Sequence, residues 1–150
     1  MKVVIQRVTH ASVTVEDKLV SSIDQGLLVL AGWVGEDTEE DVEWMAGKVC
    51  RLRIFSDADG LMNLSVEDIK GEILVVSQFT LHALTKKGNR PSFINAARPE
   101  KAIPLYNSFI QKLKDMSGLN IVSGIFGAGM KVELLNDGPV TIIIDSRNKE

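Results

Sequence analysis

A chain of 150 residues with 45% apolar content, Lys+Arg 17 against Asp+Glu 20 and a net charge of -3 is sized for a single domain over residues 1–150 that buries a core of its own. The acidic balance excludes broad, sequence-blind nucleic-acid binding, which works by neutralising many phosphates, so any RNA contact has to be local. No apolar run reaches the roughly 18 residues of a membrane span, Met1-Lys2-Val3-Val4-Ile5-Gln6-Arg7 turns polar before a signal-peptide core can form, and the lone Cys50 offers no intrachain disulfide, which together lead to an expected cytoplasmic setting with no membrane partner.

In chain order, Val3 to Val8 and Ser12 to Val15 read as strands, because β-branched residues dominate and Val13 and Val15 alternate with polar neighbours. Gly26 to Leu30 reads as a buried strand. A first helix is expected from Thr38, an N-cap with Asp41 three residues on, and its stripe is Val42, Met45, Val49 and Leu52. Cys50 falls inside that pattern as a buried, inert thiol. Asp57-Ala58-Asp59-Gly60 has the aspartates of a calcium loop, but its glycine comes too early and no glutamate closes it, so a turn is expected. It leads through Leu64 to Ile69 into a strand from Ile73 to Val76, entering Ser77. A second helix begins after Pro99 and carries Ile103, Tyr106, Phe109, Ile110 and Leu113 as a core stripe up to Gly118. Leu119 to Ser123, Lys131 to Leu135 and Val140 to Ile144 supply three more strands. Roughly eight strands and two helices in mixed order predict an α+β fold: a strongly curved, largely antiparallel, barrel-like sheet flanked by helices on one side.

Several motifs can be set aside. Gly124-Ile125-Phe126-Gly127-Ala128-Gly129 has glycines spaced the wrong way round for a dinucleotide fingerprint and precedes a strand, so it is expected to form a compact wall. Neither His10 nor His82 has a second ligand at metal-binding spacing, so no metal site and no cofactor are expected. Ser77 lacks the glycines of a nucleophile elbow, and His82, five residues away, would lie on the opposite face of a continuing strand.

Two segments carry more. In Ser77-Gln78-Phe79-Thr80-Leu81, alternation puts Gln78 and Thr80 on one face and Ser77 and Phe79 on the other, unless the strand has already bent into a turn. The plainer reading packs Phe79 in the core while the polar side chains satisfy a strand end. In Asn136-Asp137-Gly138-Pro139-Val140-Thr141, the Gly-Pro pair belongs at a strand edge or tight turn, and composition alone favours an ordinary trans bond. Lys86-Lys87-Gly88-Asn89-Arg90, followed by Arg98 and Lys101, is either a solvated loop or a local grip for phosphate. Arg7, on the first strand, is either a surface ion-pair partner or a brace.

With Val4-Ile5-Gln6-Arg7-Val8, Gly26-Leu27-Leu28-Val29-Leu30, Leu52-Arg53-Ile54-Phe55, Met62-Asn63-Leu64-Ser65, Lys87 to Phe93 and Ala96 to Glu100, these segments make nearly the whole chain resemble the D-aminoacyl-tRNA deacylase family. One departure is Phe126-Gly127-Ala128-Gly129-Met130, where the family has aspartate in place of Gly129. The resemblance implies hydrolysis of the ester of D-aminoacyl-tRNA, and of glycyl-tRNA, as chiral proofreading. It implies a catalytic segment Ser77, Gln78, Phe79 and Thr80, with backbone N–H groups near Phe79 and Thr80 facing the oxyanion, Thr80 acting by geometry, and the 2′-hydroxyl of the tRNA assisting attack. It further implies a homodimer with active sites at the subunit interface. There a cis Gly138-Pro139 from one subunit enters the pocket of the other as a wall against L side chains, with Met130 and Arg7 in the same selection, and Lys86, Lys87 and Arg90 touch the aminoacyl-tRNA. A small-molecule ester hydrolase and a non-catalytic RNA-binding dimer are the alternatives.

Overall fold

The computed structural model describes residues 1–150, and its backbone is organised around one long strand. β1 (Lys2–Val15) pairs antiparallel along one edge with β8 (Lys131–Asp145). Along the other edge it pairs first with β3 (Gly26–Gly32), through Lys2 to Val8, and then with β2 (Lys18–Ile23), through Ala11 to Val15. From β3 the sheet continues in parallel to β6 (Glu72–Ser77) and β7 (Ile121–Ser123). Ser21 Oγ on β2 donates to the Ser123 carbonyl on β7 at 2.9 Å, so the sheet curls back toward itself. β4 (Phe55–Ser56) and β5 (Met62–Leu64) form a separate small hairpin.

Two helices cover one face. α1 (Glu39–Arg51) starts at the expected Thr38, whose N–H donates to Asp41 Oδ2 at 2.9 Å, with acidic residues in its first turn and Lys48 and Arg51 in its last, the arrangement a helix dipole favours. α2 (Pro99–Ser117) opens on proline, whose missing N–H costs nothing there. Val42, Met45 and Val49 of α1 and Leu105, Phe109 and Leu113 of α2 bury against Val3, Ile5, Leu27, Val29, Ile73 and Val75. The inside of the curl is filled by Val8, Val13, Ile23, Leu28, Leu74 and Val76. β3 and β6 are therefore apolar on both faces, as central parallel strands are. No helix is long and apolar enough to cross a membrane.

The chain ends are held to α1. The Met1 ammonium lies 2.6 Å from Asp37 Oδ1, both fully buried, in an ion pair outside hydrogen-bond geometry, and donates to Ser146 Oγ at 3.0 Å. Ser146 Oγ in turn donates to Asp41 Oδ1 at 2.7 Å. Burial pushes the Asp41 carboxyl up, but the Ser146 hydroxyl, the Thr38 N–H and the nearby ammonium outweigh it and hold the group below the usual carboxylate range.

Three sequence expectations change, and β2 was not among them. The strands Val3 to Val8 and Ser12 to Val15 are one strand, as are Lys131 to Leu135 and Val140 to Ile144. Register irregularities between Gln6 and Val8 and between Val8 and His10 absorb the Gly-Pro segment without ending either. β2 had no expectation, because Leu19 and Val20 are exposed and leave it without apolar alternation. β7 begins at Ile121, not Leu119. The Gly138-Pro139 bond is cis, against the compositional default and in line with the resemblance.

Candidate active site

The parallel strands β3 and β6 end side by side, with Ala31 opposite Ser77. Beyond Ser77 pairing stops. Gln78 N–H donates to the Ala31 carbonyl at 2.7 Å, and Phe79–His82 winds into one 3-10 turn. Gly32 makes the close approach feasible, since a Cβ there would lie 2.6 Å from the Gln78 carbonyl oxygen. Within the turn, Leu81 N–H donates to Gln78 O at 3.3 Å and Ala83 N–H to Thr80 O at 3.1 Å. The N–H groups of Phe79 and Thr80, at the start of the turn, have no acceptor within it. Gln78 Nε2 donates to Thr80 Oγ1 at 2.5 Å, so these two side chains meet through the turn and not by strand alternation. Phe79 is 56% exposed and sets its ring edge-to-face on Phe93 at 5.1 Å. It does not pack in the core, as the plainer reading had it, because the strand that would have turned it inward has already ended.

This strand end forms one side of a cavity of about 260 Å³. Ser77, Gln78 and Phe79 face Phe126, Gly127, Ala128 and Met130, while Trp33, Ala97 and Ala102 close the remaining wall. The expected Gly-rich wall is thus real, held by Gly124 N–H donating to Val75 O at 3.0 Å and Ala128 N–H to Ile125 O at 3.2 Å. Behind it stands Tyr106, in edge-to-face contacts with Trp33 and Phe126 at 6.0 and 5.5 Å, and its Oη donates to the Gly124 carbonyl at 3.3 Å. Burial raises the Tyr106 hydroxyl above its ordinary range. None of the residues lining the cavity is ionisable. At Gly129 nothing lies within 4 Å of where a Cβ would stand, so packing leaves room for the family's aspartate.

Other candidates lie elsewhere. Arg7 is 9% exposed, and its guanidinium donates to the carbonyls of Ile54 at 2.6 Å and Asp137 at 3.0 Å, with Asp137 Oδ2 at 3.7 Å. It is a buried brace and not a surface ion pair. The segment it holds is fixed further by Val140 N–H donating to Asn136 Oδ1 at 2.9 Å, and Gly138 takes φ +133°, a value closed to most L residues. Gly138 and Pro139 are not on the wall of this chain's own cavity. Arg7 pairs with Leu27, four residues before Ala31, the first residue of β3 on the cavity wall, which sets the dipeptide roughly 13 Å along the strand from the cavity. Lys86, Lys87 and Arg90 are exposed in a loop closed by mutual Leu84–Ser92 hydrogen bonds at 2.8 and 3.0 Å, and enter no ion pair. His82 packs its ring against Gly32. Phe126 lines the cavity as part of the expected wall, whereas Trp33, Ala97 and Ala102 were not foreseen as wall residues; the only local sign was Trp33 standing just beyond an apolar strand.

The model of the family D-Tyr-tRNA(Tyr) deacylase matches residues 4–145. D-aminoacyl-tRNA deacylases of Flavobacterium psychrophilum and Cytophaga hutchinsonii are 62% and 61% identical to this chain over 150 residues, covering 100% of each sequence. Among solved structures, the chain is similar to a c-Myc DNA unwinding element binding protein at 47% identity and TM-score 0.91, over 97% of this chain and 98% of that one. A structure described as a probable eukaryotic D-amino acid tRNA deacylase shares the fold, at 19% identity and TM-score 0.83, over 95% and 97% of the two chains.

Proposed function

The chain belongs to the D-Tyr-tRNA(Tyr) deacylase family, and from that premise we propose that it hydrolyses the ester of D-aminoacyl-tRNA to free D-amino acid and tRNA, proofreading chirality in translation and also accepting glycyl-tRNA. The observation that carries the mechanism is a cavity wall free of ionisable groups. A serine or threonine hydroxyl without a neighbouring base is a poor nucleophile at neutral pH. The substrate brings a hydroxyl of its own, the 2′ oxygen beside the esterified 3′ position of the terminal ribose, and this group assists attack on the acyl carbon. The N–H groups of Phe79 and Thr80 hold the developing oxyanion, Gln78 and Thr80 orient the ester, and Ser77 and Met130 shape the wall. Thr80 acts by position and hydrogen bonding, not as an acyl acceptor.

Chiral selection needs a rigid wall, because the two enantiomers carry identical groups in different directions. In this reading the Gly138-Pro139 carbonyls fill the space an L side chain requires, with Arg7 bracing them. Such exclusion discriminates more strongly than the roughly 1–3 kcal/mol of one methylene in a soft pocket. Since the dipeptide is remote from its own cavity, it serves the cavity of a second copy, in a two-fold homodimer with active sites at the interface. Leu135 and Ile143, 54% and 67% exposed on β8, offer apolar surface for that pairing. Lys86, Lys87 and Arg90 contact the tRNA, and the whole chain acts as one cytoplasmic domain.

Incubation with matched D- and L-aminoacyl-tRNA tests the proposal: the D ester is cleaved and the L ester spared. Equal turnover of free D-amino acid esters would instead identify a small-molecule hydrolase, and binding without cleavage an RNA-binding module.

A further inference from the structure

Beside the cavity at Ser77, across the Val34–Ala96 bridge and sharing Ala97 with it, lies a second, more open depression of about 500 Å³. Its wall combines the apolar side chain of Ile94, 81% exposed, with the amide of Asn95 and the guanidinium groups of Arg98 and Arg147. Arg98 enters no ion pair, and Arg147 engages only the Glu36 carbonyl, at 3.5 Å. Two carboxylates line the same depression. Asp145 faces Lys2 at 4.0 Å and accepts the Arg147 backbone N–H at 2.9 Å, which leaves Glu36 as the opposing charge. α2 begins at this edge, with Arg98 as its N-cap, so the positive end of a 19-residue helix adds to the two arginines.

An apolar platform, an amide and guanidinium forks free of ion pairs are the groups that hold a nucleotide: the base against the platform, its polar edge toward the amide, the phosphate in the forks. The neighbouring cavity is the one read above as taking the ester at the terminal ribose, which in tRNA is that of an adenosine. Resting on that reading, we propose that the depression seats the unpaired nucleotide preceding the terminal adenosine, with Arg98 and Arg147 gripping the phosphate that joins the two. The enzyme then recognises a dinucleotide end, and an acidic protein finds its RNA through a few placed cations in place of a basic face.

The test compares D-tyrosyl esters of adenosine and of the dinucleotide cytidylyl-adenosine, on the intact protein and on the double variant Arg98→Ala/Arg147→Ala. The wild type is expected to show a KM about tenfold lower for the dinucleotide ester, the size of one charge-assisted phosphate contact. In the double variant the two KM values converge by loss of the dinucleotide advantage, and the slope of log KM against log salt falls by about one. A parallel titration by calorimetry uses uncharged adenosine and unacylated cytidylyl-adenosine, so it reads the depression whether or not esters are cleaved. Hydrolysis of neither ester would overturn the deacylase reading alone. Equal affinity for adenosine and the dinucleotide in the wild type, or a dinucleotide preference that survives both substitutions, would overturn the nucleotide seat.

Discussion

Arg7 is the residue whose replacement reports most. Its fork spans the Ile54 and Asp137 carbonyls, and a lysine ammonium, a single point of donation on a flexible stem, cannot reach both in the same geometry. Arg7→Lys should therefore leave a buried carbonyl unpaired and lower stability by about 1–3 kcal/mol, read from urea unfolding. Because Asp137 adjoins Gly138, the same variant is expected to begin cleaving L-aminoacyl-tRNA, measured as the ratio of L to D turnover. Thr80 gives a second prediction. Its hydroxyl, just off the cavity wall, accepts from Gln78, and that wall carries no ionisable side chain, so Thr80→Ala should slow deacylation by about ten- to a hundredfold and still leave measurable turnover. Intact-mass analysis of the wild type during turnover should find no acyl-enzyme. Complete loss in a folded variant, together with a trapped adduct, would make Thr80 the nucleophile.

Within α1, Cys50 is fully buried, and burial pushes its thiol from 9.0 up to about 11. The folded state therefore keeps its proton where the unfolded chain has lost it. The stability this contributes is complete below about pH 9 and drains away as pH rises toward 11. Thermal melts across that range should fall more steeply for wild type than for Cys50→Ala, and iodoacetamide should leave the folded thiol unmodified near neutrality. Helix α1 was legible in the sequence because a cap and a buried stripe depend only on local spacing: Thr38 with Asp41, and Val42, Met45 and Val49. β2 was not, because its place is set by the edge of β1 it covers and not by a pattern of its own. The split readings of β1 and β8 have a related cause, since a strand that bends through irregular register looks locally like two. At the site, Ser77, Gln78 and Phe79 meet Phe126 and Met130 through segments the sequence marks, whereas Trp33, Ala97 and Ala102 come from separate segments. No local signal links those segments, and alternation failed beyond Ser77 because the chain had turned.

At the scale of the whole molecule, the buried contact between the Met1 ammonium and Asp37 ties the start of β1 to the entry of α1, and Ser146 brings the end of β8 into the same cluster. Asp37→Asn would leave the buried ammonium only the more distant Asp41 carboxylate, reached through Ser146, as counter-charge and is expected to cost about 3 kcal/mol in chemical denaturation, while Asp145→Asn, at a partly exposed pair 4.0 Å apart, should cost well under about 1 kcal/mol. One property of the pocket reaches furthest. Its wall carries no ionisable side chain at all. With no acid or base on the wall where the ester is cleaved, log kcat for D-aminoacyl-tRNA should run level through about two pH units around neutrality, without the bell of an acid–base pair. Any inflection should move with the α-amino group of the amino acid being removed, so that changing the substrate shifts it and changing the enzyme does not.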